Sequence, residues 1–286
     1  MDVPITPQIR QLLRSSLEED IGAGDITTLC TITPDSQGTG FFRAKRDGVL
    51  AGVFLLSEIF KLLDSDAKVN CLCRDGELTE RGTVVAEVNG PVRALLMGER
   101  TALNFLQRLS GTATLTREYV DAVKEFPCKI IDTRKTTPGF RTLEKYAVRM
   151  GGGMNHRLGL FDAGLVKDNH IAASGSIAAA VDSIRRQAPF MARIEVECSE
   201  LKQVQEALES GADVVMLDNM GTEMMTEAVR LVNKRIWVEA SGGITLARLR
   251  EVAATGVDFI SVGALTHSAP AVDFNMKISL PDLQGG

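Results

Sequence analysis

The chain has 286 residues, of which 44% are hydrophobic and 24% are charged, and its formal net charge is −5. This composition is typical of a globular protein, and the acidic balance argues against a general nucleic-acid or membrane-surface binder, which usually carries a basic excess. No apolar stretch approaches the ~20 residues of a membrane span and the N-terminus lacks the apolar segment of a signal peptide, so we expect a cytosolic protein. Five cysteines without a C-x-x-C pair favour reduced thiols over disulfides or a structural zinc site.

The first part of the chain mixes helices and strands. The spacing of apolar residues predicts helices at 6–21, 53–64 and 92–111. Thr6 and Pro7 suit the start of the first helix, and Gly111 suits the end of the third. Strands are predicted at 38–52 as a pair about an Asp-Gly turn, at 68–73 and at 82–90. This mixture indicates an α+β domain over residues 1–111.

From residue 112 to residue 268, short apolar strands alternate with helices. The strands begin near residues 129, 163, 193, 213, 236 and 258. Strands that are apolar on both faces are typical of parallel sheets wrapped by helices. The pattern therefore predicts an α/β domain, either a doubly wound open sheet or a (β/α) barrel. We count at least six units, which would make the barrel incomplete, and the segment 143–163 has room for one further element.

Polar residues recur at the carboxyl ends of these strands, where a barrel places its active site. They are Arg134, Lys135, Lys167, Glu197, Asp218, Glu239, Ser241 and Gly263. Each alone could be an ordinary capping or turn residue. Their recurrence at one end of successive strands favours a functional site.

The residue types at this end indicate an anionic, phosphorylated substrate and a divalent metal. Glycine loops ahead of helices are suited to phosphate, and they supply Ser241, Gly242, Gly243, Gly263 and Ala264. Cations from the front half of the ring are Arg134, Lys135, His156, Arg157 and Lys167. Glu197 and Asp218 offer the oxygen ligands that Mg²⁺ prefers. Glu195 shares a strand face with Glu197, but Glu197 lies nearer the strand end and is the better candidate. The combination points to transfer chemistry on a phosphorylated sugar.

Several motifs resemble, in order and spacing, those of the quinolinate phosphoribosyltransferases. They are "DTRKTTPG", "KYAVRMGGGMNHR", "GLVKDNHI", "VECSEL", "MLDN", "EASGGIT" and "DFISVGALT", with "LEEDIGAGDITT" and "GERTALNFLQRLSG" nearer the N-terminus. The resemblance implies transfer of a phosphoribosyl group from phosphoribosyl pyrophosphate to quinolinate, with Mg²⁺, giving nicotinate mononucleotide, CO₂ and pyrophosphate in NAD biosynthesis. It also implies an N-terminal α/β sandwich, joined by the tail 269–286, and an incomplete TIM-like α/β barrel over 112–268.

The resemblance also implies a role for each candidate residue. The quinolinate carboxylates would be bound by Arg134, His156, Arg157, Lys167 and, from the partner subunit of a homodimer, Arg100. Phosphoribosyl pyrophosphate and its Mg²⁺ would be handled by Lys135, Glu197 and Asp218. The 5′-phosphate would lie on Ser241, Gly242, Gly243, Gly263 and Ala264. Arg141 has no assigned role and is expected at the surface.

Three rival functions remain at this stage. A related phosphoribosyltransferase acting on nicotinate would need fewer cations, because its substrate has one carboxylate. A Schiff-base lyase could use Lys135 or Lys167 as the nucleophile. A non-catalytic phosphosugar sensor would have less use for the acidic pair Glu197 and Asp218. Assaying both pyridine acids, trapping with borohydride and comparing binding with turnover would separate these functions.

Overall fold

A computed structural model describes residues 5–280. In chain order its elements are α1 (Pro7–Ile21), α2 (Ile26–Thr31), β1 (Gln37–Ala44), β2 (Gly48–Val49), α3 (Leu55–Leu63), β3 (Lys68–Cys71), β4 (Leu78–Thr79), β5 (Val84–Pro91), α4 (Val92–Ala122), β6 (Lys129–Ile131), α5 (Arg141–Met150), β7 (Gly164–Val166), α6 (Asp168–Ser174), α7 (Ile177–Gln187), β8 (Ile194–Cys198), α8 (Leu201–Glu209), β9 (Val214–Asp218), α9 (Thr222–Val232), β10 (Trp237–Ser241), α10 (Leu249–Ala254), β11 (Phe259–Ser261), α11 (Ala264–His267) and β12 (Phe274–Ser279). Within 5–280, no helix combines the length and the apolar character that a membrane crossing requires.

The chain divides into two compact units. The described residues of the first unit are 5–115, 149–152 and 269–280, and those of the second are 116–148 and 153–268. The predicted domain boundary at Gly111 stays a prediction, and residues 1–4 and 281–286 of the predicted N-terminal domain and its tail lie outside the described residues.

The first unit is built on a four-stranded antiparallel sheet in the order β12-β1-β5-β3. Strand β12 pairs with β1 from Thr39 opposite Ser279 to Ala44 opposite Phe274. The last described strand therefore completes a sheet whose other strands come from the start of the chain.

Helix α1 begins as its sequence predicts. The Thr6 hydroxyl accepts the backbone N–H of Ile9 at 3.2 Å, and Pro7 occupies the first turn, where its missing N–H costs nothing. Its buried residues recur at helical spacing: Ile9, Leu13 and Leu17. The helix therefore buries one apolar stripe in the core of the first unit.

The predicted strand pair at 38–52 is wrong in its pairing. Strand β1 pairs with β5 and β12, whereas β2 is only two residues long and pairs with β4. The carboxylate of Asp47 accepts the backbone N–H of Arg81 at 2.8 Å. The Asp-Gly turn is therefore tied to a distant loop instead of closing a local hairpin.

The predicted end of a helix at Gly111 is also wrong, because α4 continues to Ala122. A Cβ atom at Gly111 would lie 2.2 Å from the carbonyl oxygen of Pro270. The glycine therefore allows another segment of the first unit to approach the helix closely, and it does not end the helix.

The second unit is an incomplete barrel, as expected from the sequence. All six predicted strands form one parallel sheet in the order β6-β11-β10-β9-β8-β7. Strands β7 to β11 follow one another in chain order, and β6 pairs with β11. The ring thus leaves one seam, between β6 and β7, where only an isolated bridge joins Ile131 to Met154. The predicted α/β fold class is confirmed.

Candidate active site

The carboxyl ends of the barrel strands surround a cavity of about 330 Å³. Ten of the predicted site residues line it: Arg134, Lys135, His156, Arg157, Lys167, Glu197, Asp218, Ser241, Gly242 and Gly243. Alternate residues of a strand point to the same side of a sheet, so Glu195 and Glu197 share one face of β8, and Glu239 and Ser241 share one face of β10. The cavity therefore has a rim of strand-end residues and a floor one layer deeper.

Arg134 and Lys135 follow β6 and serve different parts of the rim. The Lys135 carbonyl accepts the Thr266 hydroxyl at 2.7 Å, and a Cβ atom at Gly263 would lie 3.0 Å from Cδ of Lys135. The Lys135 side chain therefore runs beside the loop that follows β11. Nε of Arg134 is buried and has no hydrogen-bond acceptor among the described residues.

Arg141, expected at the surface, is partly exposed but forms hydrogen bonds beside the site. The side chain is only half-exposed, and its guanidinium donates to the Thr136 hydroxyl at 2.9 Å and to the Arg134 carbonyl at 3.3 Å. It also donates to the Leu158 carbonyl at 3.3 Å. Arg141 therefore holds together the two loops that carry the cavity cations.

A buried carboxylate fixes the segment that delivers His156. Asp132, at the end of β6, accepts hydrogen bonds from Lys145 Nζ, from Asn155 Nδ2 at 2.6 Å and from the His156 backbone N–H at 2.8 Å. Burial raises the pKa of Asp132, and the Lys145 ammonium opposes this shift. Because a buried charge is stable only when it is paired, the Lys145 contact acts against the effect of burial on this carboxylate.

His156 has both ring nitrogens engaged by protein atoms. Nδ1 accepts the backbone N–H of Arg157 at 2.7 Å, and Nε2 lies 2.9 Å from Glu195 and 3.4 Å from Glu239. Burial lowers the pKa of the imidazole, but the hydrogen bonds to the two carboxylates outweigh burial and raise it to about 10. An Nδ1 that accepts a hydrogen bond carries no proton, so the contact with Arg157 favours the tautomer protonated only at Nε2. We infer that the extra proton is held by the whole cluster and not by His156 alone.

Glu195 and Glu239 are the functional candidates that sequence reasoning passed over. Glu195 was set aside because Glu197 lies nearer the strand end, and Glu239 was noted only as a member of its strand end. Both are buried below the rim, with side-chain exposures of 8% and 3%. Glu239 lines the cavity, and Glu195 lies against His156. A glutamate whose side chain faces the interior of a barrel needs a positively charged or hydrogen-bonding partner. This requirement is the signal in the sequence that could have revealed the two residues as part of a site.

Two arginines stand close together above this floor. Burial, and then the charge of Arg134, lower the pKa of Arg157, while Glu195 acts in the opposite direction. Arg157 also donates to the Ala163 carbonyl at 2.9 Å. Like charges held together in a cavity favour an anion between them.

The acidic rim residues have partners of their own. Lys167 Nζ forms an ion pair with Glu197 across the ends of β7 and β8. Asp218 accepts the Asn219 side-chain amide at 2.9 Å. Lys167 and Glu197 are therefore paired with each other, and Asp218 lies at the end of a central strand with a neutral amide as its partner.

The loop after β10 depends on glycine. Gly242 has φ +92°, and a Cβ atom there would lie 2.3 Å from Oδ1 of Asn219. The loop thus packs against the Asn219 side chain. The residue after Ser241 has a backbone conformation that residues other than glycine rarely adopt. Exposed backbone groups in such a loop are suited to an anion.

Three predicted site residues do not line this cavity. Gly263 and Ala264 lie at the start of α11, beside the Lys135 side chain in the case of Gly263. Arg100 lies on α4 in the first unit, where it is exposed.

Two models of known protein families match the chain. The family model "Quinolinate phosphoribosyl transferase, N-terminal domain" matches residues 25–110, and the model of the C-terminal domain matches residues 112–277. The chain belongs to the quinolinate phosphoribosyltransferase family. The resemblance stated from the motifs is thereby confirmed over most of the chain.

Relatives and solved structures agree with this membership. The chain is 49% identical to a probable nicotinate-nucleotide pyrophosphorylase [carboxylating] of Synechocystis, covering 93% of this chain and 91% of the relative. It is 46% identical to a protein of the same name from Bacillus subtilis, covering 96% of this chain and 94% of the relative. The crystal structure of NadC from Streptococcus pyogenes is 42% identical, covers 98% of this chain and 99% of its own, and has a TM-score of 0.93.

Proposed function

We propose that the barrel cavity binds quinolinate and phosphoribosyl pyrophosphate side by side and performs the reaction of the family. The chain is a phosphoribosyltransferase that transfers the phosphoribosyl group to quinolinate with decarboxylation, giving nicotinate mononucleotide, CO₂ and pyrophosphate in NAD biosynthesis. The observation that carries the proposal is that four Lys and Arg cations, His156, three carboxylates and a glycine loop line one cavity. The functional prediction from the sequence is confirmed. Membership of this family excludes the Schiff-base lyase and the non-catalytic phosphosugar sensor as functions.

The cationic side of the cavity would bind the pyridine dicarboxylate. Arg134 and Arg157 are close enough for each to affect the other's charge, and arginine matches a carboxylate bidentately. Lys167 would exchange part of its contact with Glu197 for a substrate carboxylate. Because both ring nitrogens of His156 are engaged by protein atoms, it would act on the same anion by fixing the backbone of Arg157, whose N–H it accepts. Together they would orient the ring nitrogen toward C1′ of the ribose, which contributes to rate by fixing the geometry of attack.

The opposite side would bind phosphoribosyl pyrophosphate. Ser241, Gly242 and Gly243 offer a glycine loop for the 5′-phosphate, with Gly263 and Ala264 beside it. Lys135 runs beside Gly263 and would neutralise the leaving pyrophosphate. As C1′ gains positive charge in the transition state, Glu197 and Asp218 would stabilise it electrostatically.

Mg²⁺ fits the donor set. The rim supplies two carboxylates, and Mg²⁺ is usually bound through one or two carboxylates together with substrate phosphates and water. Glu197 and Asp218 would hold it, with Lys167 released from Glu197 toward the substrate. When bound, the ion would offset negative charge on the pyrophosphate.

We also propose a homodimer in which Arg100 of one subunit enters the partner's site. The exposure of Arg100 on α4 supports this role, because an exposed side chain can reach a second subunit. A cytosolic location is proposed as well. It is supported by five unpaired cysteines, which suit a reducing compartment.

Release of labelled CO₂ tests the function directly. The chain is mixed with carboxyl-labelled quinolinate, phosphoribosyl pyrophosphate and Mg²⁺, and CO₂ and nicotinate mononucleotide are measured together. We expect equal amounts of both, and none when either phosphoribosyl pyrophosphate or Mg²⁺ is left out. Turnover of nicotinate in place of quinolinate, without CO₂, would contradict the proposal.

A further inference from the structure

His156, Glu195 and Glu239 form a cluster between two cavities. His156 and Glu239 line the cavity at the strand ends. All three also line a second cavity of about 420 Å³, together with residues near the starts of the strands, among them Val214 and Trp237. The cluster can therefore exchange protons with either cavity, and the mechanism above gives its two carboxylates no task.

The cluster contains more acid than its hydrogen bonds require. One carboxylate oxygen of each glutamate faces Nε2 of His156, and one oxygen of each is buried without a hydrogen-bond partner among the described residues. The ligand atoms of all three residues lie within 4.8 Å of one another. Two carboxylates this close and this deeply buried do not both stay ionised, so the cluster keeps a proton.

Glu239 is the better place for that proton. It is the more buried of the two glutamates, with a side-chain exposure of 3% against 8%. Burial raises the pKa of Glu239 to about 7, with the charge of Glu195 acting in the same direction and the hydrogen bond from His156 opposing it. Arg157 is the charged group that faces Glu195 from the loop above, and the charge of Glu195 acts to raise the pKa of Arg157.

The proposed reaction needs a proton at one defined atom. When the bond between ring carbon C2 and its carboxylate breaks, CO₂ leaves and the electron pair stays on C2. The carbon must then take one proton to give nicotinate mononucleotide. None of the cations on the rim is required for this step, since each is assigned to a carboxylate or a phosphate.

We infer that Glu239 is the acid that protonates C2 after decarboxylation. The O–H bond of the Glu239 carboxylic acid breaks, the C2–H bond forms with the electron pair left by CO₂, and Glu239 becomes a carboxylate. It regains a proton from water in the second cavity, on the side away from the substrate, while His156 and Glu195 hold its orientation. This inference rests on the proposed function.

An isotope competition identifies the donor. The enzyme converts quinolinate in an equal mixture of water and deuterium oxide, and the ratio of hydrogen to deuterium at C2 of the product is measured by mass spectrometry. Glu239→Gln removes the acid but keeps the shape of the side chain. We expect this variant to change the isotope ratio and to slow single-turnover product formation about 10²-fold, the usual contribution of a general acid. Pyrophosphate release in the same turnover should change little.

The matched control is Glu206→Gln. Glu206 accepts the backbone N–H of Ile177 at 3.0 Å and does not line either cavity, so its variant should keep the wild-type ratio. An unchanged ratio in Glu239→Gln would overturn the inference. If wild type forms no CO₂ at all, the proposed function fails instead, and the two failures are thus distinguishable.

The wild type alone gives a second reading that does not depend on the variant's folding. As the pH rises past about 7, Glu239 loses its proton and water must replace it as donor, so the isotope ratio should move with pH. A ratio that stays constant from about pH 6 to about pH 9 would show that the donor is elsewhere.

Discussion

Arg134 and Arg157 stand close together in an acidic protein, and this pairing is costly unless an anion joins them. Arg134→Ala should therefore lose one side of the anion clamp. We expect kcat/KM for quinolinate to fall by about 10²-fold, or about 3 kcal/mol, as is usual when one partner of a buried charge pair is removed. Steady-state kinetics with quinolinate varied at saturating phosphoribosyl pyrophosphate measures the change.

Arg186→Ala is the matched control for Arg134→Ala. Its side chain is 70% exposed and pairs with Asp182 on the surface of α7, so kinetics should stay at the wild-type level. Near-normal kcat/KM in Arg134→Ala would remove Arg134 from the substrate site.

At the scale of single residues, the sequence predicted the rim of the cavity but not its floor. Lys135, Glu197 and Asp218 follow strand ends, where residue type and position are visible together. Glu239 pairs with His156, which is 83 residues away along the chain by their numbers, and only the folded ring brings them together. The contacts of Arg141 were hidden for the same reason, since the fold brings the Thr136 hydroxyl and the Arg134 and Leu158 carbonyls around its guanidinium.

The loop after β10 makes a prediction at the scale of an element. Gly242→Ala should strain a backbone with φ +92° and push Asn219 aside, because the new Cβ would lie 2.3 Å from its Oδ1. We expect KM for phosphoribosyl pyrophosphate to rise about tenfold, equivalent to about 1.4 kcal/mol of lost binding. Kinetics with phosphoribosyl pyrophosphate varied will measure it.

Gly211→Ala separates strain from damage to the site. Gly211 also has a positive φ, +78°, but nothing lies within 4 Å of its added Cβ, and it does not line the cavity. This variant should lose about 1 kcal/mol of stability and keep its KM. Equal KM values in both variants would contradict a phosphate site at Gly242.

The elements of the barrel were easier to predict than those of the first unit. Six strands were visible because a parallel strand buried on both faces is a continuous apolar run. The pairing of β1 was not visible, since its partners β5 and β12 are set by distant segments. Gly111 was taken for a helix end because the sequence does not reveal that Pro270 approaches it.

The cluster on the cavity floor affects the stability of the whole molecule. The pKa of His156 is raised from 6.5 to about 10 and that of Glu239 from 4.5 to about 7, so the folded state holds more protons than the unfolded state. The stabilising contribution is complete below the unfolded values and is lost as pH rises through the folded ones. Each extra proton changes the free energy of unfolding by about 1.4 kcal/mol per pH unit.

Urea unfolding of wild type and Glu239→Gln measures the effect over the pH range from the ordinary pKa of Glu239, 4.5, to its raised value of about 7. We expect the free energy of unfolding to fall more steeply with pH in the wild type than in the variant. Glu125→Gln serves as control, because Glu125 is an exposed residue whose pKa is lowered by Arg250 and which stays ionised throughout. Parallel curves for wild type and Glu239→Gln would contradict the shared proton.

The proposed contribution of Arg100 from one subunit to the active site of its partner can be tested by complementation. Arg100→Ala and Arg134→Ala should each be nearly inactive alone. In a mixed dimer, one site has its own Arg134 and receives an intact Arg100 from the partner. On random assortment about half of the dimers are mixed, and one of the two sites in each mixed dimer is intact. Subunit exchange should therefore restore about a quarter of wild-type activity. Activity that stays at the level of the separate variants after subunit exchange would argue that Arg100 acts within its own chain.

The seam of the barrel leaves β6 and β7 as edge strands. Each of them is only three residues long, whereas the central strands β8, β9 and β10 have five residues each. Backbone N–H and C=O groups on a long, flat edge would recruit strands from other molecules, and very short edges limit such recruitment. An unclosed ring built in this way can remain in concentrated solution without growing into fibrils.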